Sequence, residues 1–440
     1  MAKLQPFRGI RYDSEKLPLE KLITEPYDRI TPIMQEEYYR RHPYNIVRII
    51  LGKDVEPDHP EKDKYKRAKL YLDEWLEKGI FIREDKDSFY VYEQEFKVDG
   101  EIKRRKGLIA RVKLEDFSSK KVLPHEKTFP KPKEDRLNLL RATNSNTEQI
   151  FLLYEDTDFL VNKKIDEILP ESFQACDVKD EDGIIHRLWV IKDDNVIRSI
   201  QKLMADKVLI IADGHHRYET SLNYRDEMIK KLEKVKGDEP FNYIMMTLFN
   251  LDDPGLVILP TYRLVKGLEK LSESNLKNLL SPYFEIEEKP WSNLEDKSII
   301  GEVKNILAKE NHIFAIYVSD FRKFYILRLK SEDILDKEID SGKSKEWKRL
   351  DVSILHSLII DKFSELTDLE FSVEKNVSYI RKLNEGIEKV NRKEYQMICL
   401  LNPVTLHQIR DIVKNGELMP HKSTDFYPKL KSGLIINPLF

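Results

Sequence analysis

The stretch Val208–Glu219, which reads VLIIADGHHRYE, decides how the centre of this 440-residue chain folds. It opens with an apolar run, Val208 to Ala212, whose length is typical of a buried strand. The Asp-Gly pair at 213 and 214 then marks a turn, and the residues from His215 to about Val235 have helical spacing. We therefore predict a strand, a tight turn and a helix. The first turn of such a helix offers unpaired backbone N–H groups to an anion.

Two interpretations of this turn are open from spacing alone. In one, Gly214 lets a ligand approach the backbone closely, Arg217 adds a bidentate contact, and His215 and His216 supply further donors. In the other, Asp213 simply caps the helix and the histidines are exposed residues of its first turn. Neighbouring histidines point about 100° apart on a helix, which does not suit a shared zinc ion.

Composition narrows the class of protein. The chain has 75 Lys and Arg against 78 Asp and Glu, a net charge of −3, so it lacks the global positive field of a general nucleic-acid coat protein. No apolar run approaches the roughly 18 residues of a spanning helix, and the start of the chain lacks an apolar signal core. We therefore expect a cytoplasmic protein with no membrane partner. Its only cysteines, Cys176 and Cys399, have no redox or metal spacing, and abundant Lys and Glu are typical of a heat-adapted source.

Strand and helix patterns alternate along the whole chain, which predicts a mixed α and β fold with no internal repeat. A β-branched run at 43–51 predicts a strand, 62–78 predicts a helix, and 89–98 with 107–114 predicts a hairpin around Asp99-Gly100. The Lys- and Pro-rich segment 124–146 is predicted to be a long functional loop. Further strands are expected at 150–154, 188–191, 244–250, 313–318, 323–329 and 397–401, and helices at 353–365 and 405–414.

Three separated motifs carry a resemblance to a known family. Asp213–Tyr218 (DGHHRY) after an apolar strand resembles the signature of the ParB and sulfiredoxin-like superfamily, and most closely that of the free serine kinases. Leu123–Glu126 (LPHE) is similar to the Pro-His-Glu segment of those kinases. Gly416–Thr424 (GELMPHKST) resembles their Gly-Glu, Pro, Lys-Thr-Thr segment. Three motifs in the same order are more specific than any one of them.

The chain as a whole resembles a large microbial family that long lacked an assigned function. This resemblance rests on Phe7-Arg8, Pro26-Tyr27-Asp28, Leu350-Asp351-Val352 and Phe426-Tyr427-Pro428-Lys429. Together the two resemblances imply an α/β core like that of ParB and the free serine kinases at 106–256. An N-terminal α/β region at 1–105 precedes this core, and a C-terminal α/β region at 257–440 would close the active-site cleft.

The kinase resemblance implies a function. A free serine kinase phosphorylates L-serine to O-phospho-L-serine, a precursor for cysteine biosynthesis, with pyrophosphate, ATP or ADP as the candidate donors. The resemblance implies that Glu126 is the general base and that His125 contacts the substrate. It implies that Asp213 is either a Mg²⁺ ligand or a second acceptor for the hydroxyl proton. The implied phosphate site comprises Gly214, His215, His216, Arg217, Lys422, Ser423 and Thr424.

The sequence also departs from these relatives. Asp425-Phe426 stand where the kinases carry Arg-His, and no Walker-type loop is evident. Sulfiredoxin chemistry needs a cysteine at the position of His215. The alternative function is a ParB-like nucleotide-dependent DNA-binding or regulatory protein, because a shared fold does not transfer activity. Lys127, Lys131, Lys133 and Arg141 could add positive charge, although such runs are usually solvated surface.

Overall fold

The computed structural model describes residues 2–56, 59–128, 130–232, 234–291 and 298–439. Its strands are β1 Leu4–Gln5, β2 Ile10–Tyr12, β3 Phe81–Arg83, β4 Phe89–Val98, β5 Glu101–Lys113, β6 Val122–Leu123, β7 Ser145–Asn146, β8 Ile150–Tyr154, β9 Phe173–Lys179, β10 Ile185–Ile191, β11 Leu209–Asp213, β12 Tyr243–Asn250, β13 Val257–Ile258, β14 Tyr262–Val265, β15 Phe284–Pro290, β16 Ile313–Val318, β17 Lys323–Leu329, β18 Val377–Ile380, β19 Met397–Leu401, β20 Phe426–Tyr427 and β21 Asn437–Pro438.

Its α-helices are α1 Pro32–Arg41, α2 Val47–Ile50, α3 Lys64–Glu77, α4 Pro130–Thr143, α5 Leu160–Ile168, α6 Asp194–Met204, α7 His215–Lys231, α8 Glu273–Leu280, α9 Ser298–Leu307, α10 Asp333–Glu338, α11 Lys345–Lys348, α12 Asp351–Leu355, α13 Val373–Asn376, α14 Leu383–Asn391 and α15 Leu406–Lys414. The predicted mixed α and β class is therefore confirmed. Within the described residues, no helix is long and apolar enough to cross a membrane.

The chain divides into two compact units. The first unit consists of residues 1–257 together with the C-terminal segment 428–440, and the second consists of residues 258–427. The predicted boundary between residues 105 and 106 falls inside β5, whose ladder with β4 runs from Tyr90↔Ile109 to Val98↔Glu101. Residues on both sides of that boundary therefore share one sheet, because a hydrogen-bonded hairpin cannot be divided between two cores.

In the first unit, the described strands form a nine-stranded mixed sheet in the order β6-β11-β8-β12-β5-β4-β10-β9, with β1 paired to β5. The predicted hairpin of β4 and β5 is confirmed, and Asp99 and Gly100 turn it with φ of 48° and 89°. Strands β8 and β12 are buried at every residue, as expected where apolar material covers both faces of a sheet. This buried centre positions β11 and the turn that follows it.

In the second unit, the described strands form a six-stranded antiparallel sheet in the order β15-β17-β16-β19-β14-β18. The strands predicted at 313–318, 323–329 and 397–401 are confirmed as β16, β17 and β19. The helix predicted at 353–365 is confirmed in extent. Within it, α12 continues as a π-helical turn at His356–Ile360 and a 3-10 turn at Asp361–Leu366.

Two sequence-based assignments in the first unit are wrong. The run predicted as a strand at 43–51 contains the helix α2, which Asn45 starts by accepting the Val47 N–H at 3.0 Å. A short apolar run can form either a strand or a buried helix, and this run forms a helix whose apolar side chains are buried. The segment 124–146, predicted as an irregular loop, contains the fourteen-residue helix α4. Its prolines fall at the helix start, where proline is tolerated.

A close backbone approach gives the first stability prediction. A Cβ added at Gly255 would lie 1.9 Å from the Arg104 carbonyl oxygen on β5, and backbone at that distance cannot yield locally. We expect Gly255→Ala to cost at least about 1–3 kcal/mol and to lower the melting temperature by several degrees. Gly301→Ala is the matched control, since nothing lies within 4 Å of the added Cβ and Gly301 is exposed within α9. Equal melting temperatures for the two variants in thermal unfolding would contradict the close approach.

Candidate functional site

The predicted strand, turn and helix are present as β11, Gly214 and α7. The pairing of β11 with β8 shifts register between Ile211 and Asp213, and Gly214 then takes a φ of 98°, which favours glycine. A Cβ at Gly214 would lie 3.1 Å from Nε and Nη2 of Arg217, because that guanidinium lies against the turn. Glycine is therefore favoured here by the backbone conformation, and a Cβ would also displace the Arg217 guanidinium slightly.

Two buried histidines fasten the Pro-His-Glu segment to this turn. The backbone N–H of His125 donates to Nε2 of His215 at 3.2 Å, and Nδ1 of His125 donates to the Ile211 carbonyl at 2.6 Å. The two imidazole rings meet edge to face with their centroids 4.6 Å apart. We call this pair the histidine clamp. It brings together two sequence motifs that are separated by about ninety residues.

The clamp and its burial determine the protonation state of His215. Burial, and then the neighbouring His125, hold the pKa of His215 well below its usual value, so the ring is neutral at physiological pH. Since Nε2 accepts a hydrogen bond from backbone, the proton of the neutral ring lies on Nδ1. The phosphate contact predicted for His215 would therefore be a hydrogen bond that Nδ1 donates.

Glu126 extends from the clamp with a partly exposed side chain. Its Oε1 lies 3.9 Å from Nε2 of His125, which is itself fully buried. Nearby on α7, partial burial lowers the pKa of His216, while Glu219 opposes that shift. Lys133 adds positive charge beside them, with Nζ bonded to Glu219 Oε2 at 2.7 Å. The side chain of Lys131, also named as a possible source of charge, lies outside the described residues.

Asp213 lies between two cations. Its Oδ2 is 3.4 Å from Nζ of Lys429 and 3.9 Å from Nη2 of Arg217. Burial of this side chain, which is 24% exposed, works to raise its pKa, but Lys429 and Arg217 outweigh that effect and hold the pKa well below its usual range. Asp213 is therefore ionised at physiological pH.

A second carboxylate, Asp28, is near enough to Asp213 to be affected by its charge. Desolvation, and then the negative charge of Asp213, raise the pKa of Asp28, while Arg217 and Lys429 oppose that rise. Both Asp28 and Lys429 occur in stretches that carry the whole-chain resemblance, yet sequence reasoning gave neither a role. A search for charged residues within those stretches could have singled them out.

The donor set around Asp213 suits magnesium better than a tightly caged metal. In the described part of the chain, no three His, Cys, Asp or Glu side chains converge as a metal cluster. Mg²⁺ does not require such a cluster, because it is usually held by one or two carboxylates together with phosphate oxygens and waters. Asp213, which is held ionised, offers one such carboxylate, so the residues present fit the group.

A buried ion-pair network holds Lys429 in place. Two residues further on, Lys431 is 1% exposed, and its Nζ contacts Glu25 Oε1 at 2.6 Å and Asp180 Oδ2 at 2.9 Å. Asp180 in turn contacts Nε2 of His186 at 3.0 Å. We call these four residues the Lys431 network. It fixes the returning C-terminal segment in the first unit, from which Lys429 reaches Asp213.

The third of the sequence motifs, Gly416–Thr424, lies in the second unit. Lys422 has a φ of 58°, and its carbonyl accepts a hydrogen bond from Nη2 of the buried Arg263 at 3.2 Å. The Ser423 hydroxyl donates to the Pro420 carbonyl, and Ser423 is buried. These contacts order the loop that also holds Thr424. The joint action of Lys422, Ser423 and Thr424 with the Asp213 turn stays a prediction.

The family of the chain can now be stated. The family model described as "Protein of unknown function (DUF1015)" matches residues 4–353, which is more than half of the sequence. The chain belongs to this family. No curated protein sequence matches it.

Solved structures similar to this DUF1015 protein include three of interest. A conserved hypothetical protein from Pyrococcus furiosus is 14% identical, with 76% of this chain and 97% of that one covered and a TM-score of 0.31. A free serine kinase in complex with AMP is also 14% identical, with coverage of 74% and 92% and a TM-score of 0.34. SbnI with a C-terminal truncation, from Staphylococcus aureus, is 10% identical, with coverage of 75% and 87% and a TM-score of 0.35.

The Lys431 network generates a stability prediction. Lys431→Met leaves the carboxylates of Glu25 and Asp180 without their buried cation, and we expect a loss of about 3–5 kcal/mol in unfolding free energy. The control is Lys69→Met, which breaks an exposed pair with Asp73 and should cost less than about 1 kcal/mol. Denaturant unfolding at pH 7 measures both variants.

The pH dependence of the unfolding free energy is a second test of the Lys431 network. Burial opposes ionisation of Asp180, but His186 and Lys431 prevail and lower its pKa in the folded state. Its stabilising effect is therefore present above the unfolded carboxyl pKa of about 3.9 and is lost as the pH falls. The difference between wild type and Lys431→Met should thus shrink as the pH falls below about 4, toward the lowered pKa of Asp180. A difference that grows on acidification would mean that Asp180 does not depend on Lys431.

Proposed function

We propose that this protein is a small-molecule kinase that transfers a phosphoryl group to the hydroxyl of free L-serine. The observation that carries the proposal is the histidine clamp, which joins the segment bearing Glu126 to the turn bearing Asp213. A base for the acceptor and a phosphate-binding helix start are the two parts that such a transfer requires. Pyrophosphate, ATP and ADP are all candidate donors.

The environments of the two carboxylates support different roles for them. Lys429 and Arg217 hold Asp213 ionised, which makes it a weak proton acceptor. Glu126 lies outside this pair of cations and is partly exposed, so it is the better base. In the proposed step the serine hydroxyl oxygen forms a bond to phosphorus while the bond to the donor's leaving group breaks. The hydroxyl proton passes to the Glu126 carboxylate.

Residues of the chain would hold and neutralise the donor. The Gly214 turn presents the first N–H groups of α7, and Arg217 and His216 lie on that same first turn. Asp213 and Asp28 would hold Mg²⁺, which supplies neutralisation of phosphate charge when bound. The free serine kinase among the similar structures is recorded with AMP, and a variant of it with ADP, which is consistent with a nucleotide as one candidate donor.

The decisive assay incubates the protein with L-serine, Mg²⁺ and each of ATP, ADP and pyrophosphate in turn. We expect O-phospho-L-serine with at least one donor, detected by mass spectrometry or ³¹P NMR. Omission of Mg²⁺ or addition of a chelator should abolish the product. If no donor yields phosphoserine, the assignment of serine as acceptor is wrong.

Variants separate the proposed roles. Glu126→Gln should lower turnover by about 10²–10⁴-fold and leave donor binding nearly unchanged, because only the proton acceptor is removed. Asp213→Asn should abolish turnover by removing the ionised carboxylate. Glu134→Gln is the matched control, an exposed glutamate on α4 that should retain full activity. Normal turnover in Glu126→Gln would show that another group accepts the proton.

The alternative, a DNA-binding regulator, has its own test. A chain of net charge −3 is expected to give no salt-dependent mobility shift with duplex DNA, with or without nucleotide. Binding that weakens steeply between 50 and 200 mM salt would favour the regulator.

A further inference from the structure

Glu219, on the second turn of α7, contacts the segment that follows Glu126 in the chain. Its Oε2 accepts hydrogen bonds from the Thr128 hydroxyl at 2.8 Å and from Nζ of Lys133 at 2.7 Å. Nζ of Lys133 also donates to the Thr128 hydroxyl at 3.1 Å. Each of these three side chains therefore contacts the other two. We call Glu219, Thr128 and Lys133 the Glu219 cluster.

The cluster is partly shielded from water and is fastened to α7 at a further point. Glu219 and Lys133 are 26% and 25% exposed, and an ion pair that shares a hydroxyl in such surroundings is held more firmly than an exposed pair. The Thr220 hydroxyl donates to the Lys133 carbonyl at 3.3 Å. The first turn of α4 is thereby fixed to α7 beside the contact between Glu219 and Thr128.

The Glu219 cluster and the histidine clamp hold the chain on both sides of Glu126. The clamp fixes His125, the residue before Glu126, and the cluster fixes Thr128, two residues after it. On α7, His215 and Glu219 are four residues apart, so they lie on one face of the helix about one turn apart. One helix face thus provides two attachment points, and Glu126 lies between the two residues attached there.

The charges of the cluster act on the same part of the site as Glu126. Burial lowers the pKa of His216, which lies on the first turn of α7. Of the nearby charges, Glu219 raises this pKa, Lys133 lowers it and Glu126 raises it. All three charges are therefore close enough to the imidazole of His216 to affect its protonation.

We propose that Glu219 is a positioning residue for the proposed base: by holding Thr128, it keeps the Glu126 carboxylate where it accepts the hydroxyl proton. The inference rests on the proposed function for the reaction that Glu126 serves. Lys133 orients the Glu219 carboxylate, and Glu219 itself takes no part in proton or phosphoryl transfer. A misplacement of about 1 Å can cost about 10²-fold in rate, so this second attachment is needed in addition to the clamp.

The first test needs no substrate. Lys127 is exposed between Glu126 and Thr128, and trypsin cleaves after lysine. A protease cuts such a bond when the segment leaves its folded position. Brief trypsin treatment of the full-length protein, with fragments identified by mass spectrometry, should show cleavage after Lys127 at least about fivefold faster in Glu219→Ala and Thr128→Val than in wild type. Thr128→Ser keeps the hydroxyl and should be cut at the wild-type rate.

The second test asks whether Glu219 acts through Glu126. In the L-serine phosphorylation assay, Glu219→Ala should lower kcat by about 10- to 100-fold and leave both KM values within about twofold, because the base is displaced and binding is not. In a Glu126→Gln background the same substitution should lower the residual turnover no further, since no base remains to be positioned. A purely structural role would lower turnover equally in both backgrounds.

Glu227→Ala is the matched control. Glu227 pairs with Arg141 at 2.5 Å and so also joins α7 to α4, but it lies about two turns further along α7 than Glu219. This variant should match wild type both in cleavage after Lys127 and in kcat. Circular dichroism and melting temperature establish that each variant is folded.

Three results would overturn the inference: unchanged cleavage after Lys127 in folded Glu219→Ala and Thr128→Val, wild-type kcat in Glu219→Ala, or an equal loss of turnover with and without Glu126. Each of these leaves the kinase assignment standing wherever wild type forms phosphoserine. If wild type forms none with any donor, the proposed function is wrong, and the cleavage rates alone decide whether Glu219 holds the segment.

Discussion

The half-buried carboxylate of Asp213 must be neutralised, and much of the first unit is arranged around that requirement. Removing an ionised carboxylate from water is costly unless cations lie close to it. Here Arg217 comes from the first turn of α7, whereas Lys429 comes from the far end of the chain. Lys429 can reach Asp213 only because the segment 428–440 returns to the first unit, where the buried ammonium of Lys431 anchors it between Glu25 and Asp180. A local need for charge therefore fixes a long-range feature of the fold.

The histidine clamp meets a different requirement, that of position rather than charge. A neutral imidazole can accept a backbone N–H and pack against a second ring within the core, which a charged ring could not do without a large desolvation cost. Burial keeps His215 neutral and thus preserves the contact over the physiological pH range. The geometry that joins Glu126 to the turn is consequently insensitive to changes of pH within this range.

The parts of the structure that the sequence predicts are those governed by local patterns. An apolar run followed by Asp-Gly and a helical period is enough to identify β11, Gly214 and α7, and alternation with a turn pair is enough for the hairpin of β4 and β5. The helix α2 was assigned wrongly because a short apolar run fits a strand equally well, and α4 because prolines and lysines hid a helical segment. Lys429 and Asp28 could not be assigned from spacing, since their partner Asp213 lies roughly two hundred residues away in each direction. Only the folded chain brings such charges together.

The pairing of charges around the turn also bears on what can bind there. Lys429 and Arg217 are engaged with Asp213, and Lys133 with Glu219. A phosphate arriving alone would have to draw these cations away from their carboxylates, and a divalent cation arriving alone would meet the repulsion of the same lysine and arginine. Under the proposed function, Asp213 would hold a metal ion that binds together with a phosphate, and Lys429 and Arg217 would then be available to the phosphate. The arrangement therefore supports the proposal that a donor phosphate binds together with a divalent cation rather than either ion by itself.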